Sequence, residues 1–268
     1  MEKNAKIYTF SSLIFLCLLS LSARSLGIIK EAAYLFAFVF PIALSLLLSK
    51  ENSYKNSFLK LKRKDISLLL PTVLPIIFVI VFTAYLTALI IFSLSGAENT
   101  IQKSGSLFKD LISLAILPAI LEEALFRYIP LKLFLPYSKK YALIISTLFF
   151  ALAHLSLFSI FYAAVAGFAF MAVDIATESI IPSVILHLLN NSISLIWSYN
   201  QNQNLESVLT ALLALFMILS LVALSLNRKK YAAVVKGLFE KEEKSMFPRF
   251  LFAFIIPAVI ITLTSLPK

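Results

Sequence analysis

Apolar runs close to the length that crosses a bilayer take up most of this 268-residue chain, and nothing else constrains its fold as strongly. Crossing about 30 Å of hydrocarbon takes roughly 20 apolar residues in a helix. Runs of this kind occupy approximately 7–22, 32–49, 66–95, 107–128, 141–157, 158–173, 182–199, 208–226 and 250–266. Soluble proteins carry about 25% charged residues as a polar skin. Here charged residues are 14% and apolar ones 60%, and the charges bunch into a few short stretches. A water-soluble globule is excluded, and the spacing predicts an all-α, polytopic transmembrane helical bundle of eight or nine spans. The first two runs are short and close together, as in a tight helical hairpin. Pro71 and Pro75 are expected to kink the third. The fourth should end at Tyr128, before Pro130, and pass into an amphipathic connector, 129–140. Lys3 and Lys6 before an apolar run resemble a signal peptide, but the next run follows almost at once, which favours a first transmembrane helix.

The net charge of +10 is compatible with nucleic acid, anionic lipid or membrane topology. Position decides. With the N-terminus inside, nineteen of the 24 Lys and Arg residues fall on inner segments and five on outer ones. This is the bias that orients multi-pass proteins, so the charge needs no nucleic-acid partner. It places the chain in a membrane, the cell membrane in a prokaryote, with a cytoplasmic N-terminus. Only five glycines occur, with no phosphate-cradling loop among them, and the single cysteine, Cys17, allows no internal disulfide and no Cys-rich metal site.

Ionisable groups inside spans cost roughly 2.5–3.5 kcal/mol each on insertion scales, so those retained are site candidates. Glu122, Glu123 and Arg127 lie on the fourth run, His154 on the fifth, and His187, Asn190 and Asn191 on the seventh. Glu123 and Arg127 are four residues apart, share a helical face and can pair. Glu122 is turned about 100° from that pair and is free to face another helix. Phe150 with His154, and His187 with Asn191, repeat the four-residue spacing. Both histidines of the chain thus sit in spans, beside a carboxylate pair. If they converge, they supply a general base, an orienting partner and donors for an oxyanion, the equipment of water-mediated acyl hydrolysis. Depth constrains that convergence. At 1.5 Å per residue His154 lies about 20 Å into the fifth run, so either this run begins below the surface or the connector dips inward. Asp174 and Glu178 read as solvated charges on an inner loop, and Asn190 as bonded to a neighbouring helix.

Glu122-Glu123-x-x-x-Arg127, Phe150-x-x-x-His154 and His187-x-x-x-Asn191, on separate spans in this order, resemble the three motifs of the type 2 CAAX prenyl endopeptidase (Rce1-like) family, also called CPBP intramembrane proteases. The resemblance covers 107–200. It divides the chain into accessory transmembrane helices at 1–106, a catalytic Rce1-like core at 107–200, and C-terminal helices with a basic cytoplasmic loop at 201–268. It implies a membrane-embedded endopeptidase without a tightly bound metal or other cofactor. Glu122 with His154 would activate water, Glu123 and Arg127 would form the supporting ion pair, and His187 with Asn191 would stabilise the tetrahedral oxyanion. The partners implied are the lipid bilayer and a membrane-associated peptide or protein, lipidated or not. Two Glu and two His are also a set that zinc accepts, but no H-E-x-x-H string occurs. Serine and aspartyl intramembrane protease strings are absent as well. Two other readings stay open: a non-catalytic membrane regulatory or immunity protein of the same fold, and a proton-coupled transporter.

Overall fold

The computed structural model describes residues 2–22, 28–49, 56–96, 103–200, 203–239 and 252–264, and every regular element among them is helical. Helices α1 (Glu2–Ser22) and α2 (Ile28–Leu48) pack along each other, as the hairpin pattern predicts. A 3-10 turn, Asn56–Leu59, precedes α3 (Arg63–Ser95), which runs as one helix through Pro71 and Pro75. Next come α4 (Leu107–Asp110), α5 (Leu117–Glu123) and α6 (Ile129–Phe134), joined by two π-helical segments, Leu111–Ile116 and Ala124–Tyr128. They are followed by α7 (Lys139–Ala153), α8 (Leu157–Thr177), α9 (Ile181–Tyr199), α10 (Gln203–Leu226), α11 (Arg228–Leu238) and α12 (Phe252–Thr264). The basic stretches 50–55 and 240–251 fall outside the described residues.

Among the described residues, five helices are long and apolar enough to cross a membrane: Glu2–Ser22, Glu31–Leu48, Thr72–Leu94, Ser159–Thr177 and Ser207–Leu226. These coincide with five of the nine apolar runs. Three of the four remaining runs carry the site residues. Polar side chains interrupt the 107–134 stretch and α9, and α7 has 15 residues.

The expected break at Pro130 does not occur. Helical structure continues from 107 to 134, and the π-helical segment before Pro130 absorbs the missing N–H. The carbonyls five and four residues before the proline, those of Leu125 and Phe126, are the ones its ring nitrogen cannot serve. Neighbouring helices supply hydroxyls. Tyr8 of α1 donates to the Leu125 carbonyl at 3.5 Å, and Ser146 of α7 donates to that of Phe126. The longer run also settles the depth question. Glu122 stands twelve residues before Phe134 and His154 fifteen after Lys139, so both lie at similar distances from the 135–138 turn.

Ser138 caps α7 by accepting the Tyr141 N–H at 2.9 Å. Between α8 and α9 the chain reverses in three residues, with Glu178 in the left-handed region at φ 51°, and the Ile180 N–H bonds to the Phe58 carbonyl at 2.8 Å. At the far end of α9, Tyr199 donates to the buried Asp110 at 2.6 Å, which fixes α9 antiparallel to the 107–134 run.

Two stability predictions follow from these joints. Left-handed geometry costs an L residue roughly 1–2 kcal/mol, and the exposed Glu178–Lys62 pair at 3.1 Å returns little of it. Glu178→Gly should therefore raise the unfolding temperature in detergent, and Glu178→Val should lower it. Ser146→Ala should cost roughly 1–3 kcal/mol by leaving the Phe126 carbonyl buried and unpaired. The loss should shrink in a Pro130→Ala background, where the helix regains its own donor, and equal losses in both backgrounds would disprove the compensation.

Candidate active site

Four elements converge on one spot: the end of α5 with the π-helical segment that follows, the C-terminus of α7, the middle of α8 and the first two turns of α9. Glu123 is fully buried. Its Oε1 lies 2.7 Å from His187 Nδ1 and its Oε2 lies 3.2 Å from Arg127 Nε. A carboxylate can only accept, so Nδ1 carries the proton of that hydrogen bond. His187 Nε2 then faces Glu122 Oε2 at 3.9 Å.

Arg127 is also fully buried, and its two terminal nitrogens have no hydrogen-bond partner among the described residues. Its guanidinium instead lies over the Phe150 ring, 3.8 Å from the centroid, with Phe170 of α8 at 5.6 Å. Cation–π contact of this kind is worth up to about 2 kcal/mol when desolvated. Phe150 touches all three motifs. Its ring carries Arg127, its edge meets His187 at 5.8 Å between ring centroids, and its carbonyl bonds His154 Nδ1 at 2.9 Å. Gly167 of α8 leaves the room, because a Cβ there would stand 3.1 Å from the Phe150 ring.

Glu122 differs from its neighbour. Its side chain is 18% exposed, and among the described residues no hydrogen bond engages its carboxylate. It shares a cavity of about 80 Å³ with His154, walled by Phe15 and Leu19 of α1, Tyr34 and Phe38 of α2, and Phe126. That volume holds a few waters. Because the Phe150 carbonyl accepts from His154 Nδ1, the other ring nitrogen, Nε2, is left with its lone pair.

Asn191 donates to the Leu114 carbonyl at 3.3 Å, and its Oδ1 accepts from Asn190 at 3.2 Å. Leu114 lies four residues before Pro118, so Asn191 completes a helix bond that the proline cannot make. Asn190 thus bonds its own neighbour and not an adjacent helix, a correction to the sequence expectation.

Asp174 is a larger correction. It does not lie on a solvated loop. α8 runs four residues beyond the expected end at 173, and Asp174 is completely buried, with Oδ1 accepting the Ser183 N–H at 3.2 Å. That N–H belongs to the first turn of α9, where helices have no internal acceptor. The Ser183 hydroxyl in turn donates to the Ile180 carbonyl at 2.9 Å. A carboxylate on α8 therefore fixes the turn of α9 that presents His187. The usable sequence signal was Pro182, which announces a helix start in need of an acceptor. Glu178 is exposed, as expected.

Among the described residues, no group of three His, Cys, Asp or Glu side chains is arranged to hold a metal ion. In particular, Glu123 Oε1 and His187 Nδ1 are spent on each other.

Residues 104–193 match the family model for type II CAAX prenyl endopeptidases, Rce1-like. The match spans ninety of the 268 residues and contains all six charged or polar motif positions. Rce1-like proteins are a protease family, and the apolar helices fit a multi-pass membrane protein. No curated protein and no solved structure matches the chain.

Removing Arg127 tests the ion pair. Arg127→Ala leaves Glu123 buried and uncompensated and should cost roughly 3–5 kcal/mol. Arg127→Lys keeps the charge but loses the flat stack on Phe150 and should fall between the two in thermal unfolding. Equal stability of all three proteins would make the pair energetically idle.

Proposed function

We propose that this chain is an intramembrane endopeptidase that hydrolyses a peptide bond with water activated by Glu122 and His154. One observation carries the reading: two adjacent glutamates in opposite circumstances. Glu123 is tied to Arg127 and His187, while Glu122 faces a small cavity with no protein hydrogen bond and with His154 on the same wall. A water between Glu122 and His154 Nε2 has an acceptor on each side, so its proton can leave as its oxygen attacks the peptide carbonyl. The carbonyl carbon becomes tetrahedral and its oxygen takes up negative charge. His187 stands on the far side of Glu122, held by Glu123. A second proton on its Nε2 would make it a donor to that oxyanion, with Glu123 stabilising the resulting cation. Asn191 joins as a further donor through the amide hydrogen not used on Leu114. Collapse of the intermediate breaks the C–N bond, and the proton first taken from water passes to the leaving amine.

The substrate proposed is a membrane-associated peptide, of the prenylated CAAX type or unmodified, in a cell membrane with the N-terminus inside. No metal or other cofactor is required. The experiment is cleavage of a farnesylated CAAX peptide, and of its unprenylated counterpart, by the purified full-length protein in detergent. Glu122→Gln should lower turnover by at least about a hundredfold, the order of a lost general base, without changing the unfolding temperature. Exhaustive chelation should leave the wild-type rate intact. Cleavage that survives Glu122→Gln overturns the assignment of the base. A cellular phenotype that survives both the Glu122 and the His154 changes points to a non-catalytic regulator.

A further inference from the structure

A second, larger cavity lies on the side of α8 away from the site. Gly167, Phe170 and Asp174 face the catalytic cluster, whereas Val165, Ala169, Ala172 and Ala176, at helical spacing on the opposite side, floor a groove of about 650 Å³. The eleven steps from Val165 to Ala176 at 1.5 Å each make that floor about 16 Å long. The first half of α3 and the end of α10 form its walls, and α11 closes one end with Tyr231, Val234 and Val235.

Three observations specify an occupant. The lining is almost wholly aliphatic and aromatic and lies among membrane-crossing helices, where hydrocarbon is the surrounding solvent. Two polar atoms in it, Thr147 Oγ1 and Tyr231 Oη, are buried with no hydrogen-bond partner among the described residues. The helix at its end, α11, is amphipathic and basic. Tyr231, Val234 and Leu238 form its inward stripe, while Arg228, Lys229 and Lys236 are exposed, and its eleven residues contain no acid. Arg228 is three residues before Tyr231 and so stands beside that stripe on the same helix. A basic helix lying across an apolar cleft has the chemistry that holds a phosphate over an acyl chain.

We propose that this groove binds a bilayer phospholipid with an anionic headgroup. One acyl chain lies along Val165–Ala176, Tyr231 donates to an ester or phosphate oxygen, and Arg228 with Lys229 and Lys236 neutralises the headgroup. The proposal is independent of the peptidase reading.

The test uses the full-length protein in non-ionic detergent with added dioleoylphosphatidylglycerol or dioleoylphosphatidylcholine, read by native mass spectrometry and thermal unfolding. One phosphatidylglycerol should remain bound per chain and raise the unfolding temperature, with phosphatidylcholine binding at least tenfold more weakly. Ala169→Trp fills the groove and should abolish the bound lipid. Replacing Arg228, Lys229 and Lys236 by Gln changes only exposed side chains. It should keep a bound lipid but erase the preference, since each cation near an anionic surface is worth roughly fivefold. Three outcomes overturn the proposal: equal retention of the two lipids by the wild type, a bound lipid that survives Ala169→Trp, or a lipid-free wild type. A dimer that Ala169→Trp dissociates, with no lipid bound to either form, would assign the groove to a second copy instead. If Ala169→Trp fails to fold, the Gln variant still decides through the headgroup preference.

Discussion

A carboxylate with no exposure to solvent, Glu123, sets the terms for everything around it. Uncompensated burial of such a charge costs more than the net stability of most domains, so its partners cannot be optional. Arg127 compensates it and becomes a buried cation in turn, held over the face of Phe150. Phe150 packs closely on α8 at Gly167, where a Cβ would crowd its ring. His187 takes the other oxygen of Glu123, and Asp174 with Ser183 fixes the helix turn from which His187 projects. Each element of the core is thus answering a requirement set by the element before it. Glu122 is the exception. It stands next to this arrangement and is used by none of it.

The second organising feature is proline inside the site helix. Pro118 and Pro130 each withdraw a backbone donor from the stretch that carries the two glutamates. The orphaned carbonyls are satisfied from three different helices, by Tyr8 of α1, Ser146 of α7 and Asn191 of α9. A defect in one helix has become a set of directional links to its neighbours. In an environment where apolar contact gives little preference between one helix pairing and another, such links specify which helices meet and in what rotation.

The arrangement of Glu122, Glu123, Arg127, His154 and His187 was legible from the sequence because ionisable residues in lipid-length apolar runs are few and helical spacing fixes their relative directions. That Glu123 pairs with Arg127 while Glu122 points elsewhere followed from helical spacing and their 100° offset. What stayed illegible depends on contacts across helices. The continuation through Pro130 requires knowing that Tyr8 and Ser146 are at hand. Asp174 looked like loop because a charge argues against a span, and only the position of Ser183 shows that it is buried and partnered. The apolar runs alone do not fix the number of crossings, for a related reason. Apolar length reports what hydrocarbon tolerates, and several of these runs are apolar because they face other helices.

The brevity of α7 bears on how water reaches the site. Fifteen residues make about 22 Å of helix, against about 30 Å of hydrocarbon in a typical bilayer. Helix α7 is buried against α6, α8 and α12 and is not one of the membrane-crossing helices. Whatever approaches His154 at its end therefore meets protein side chains and not lipid tails. For a hydrolase in a membrane, that makes the route of water a property of the protein's own packing.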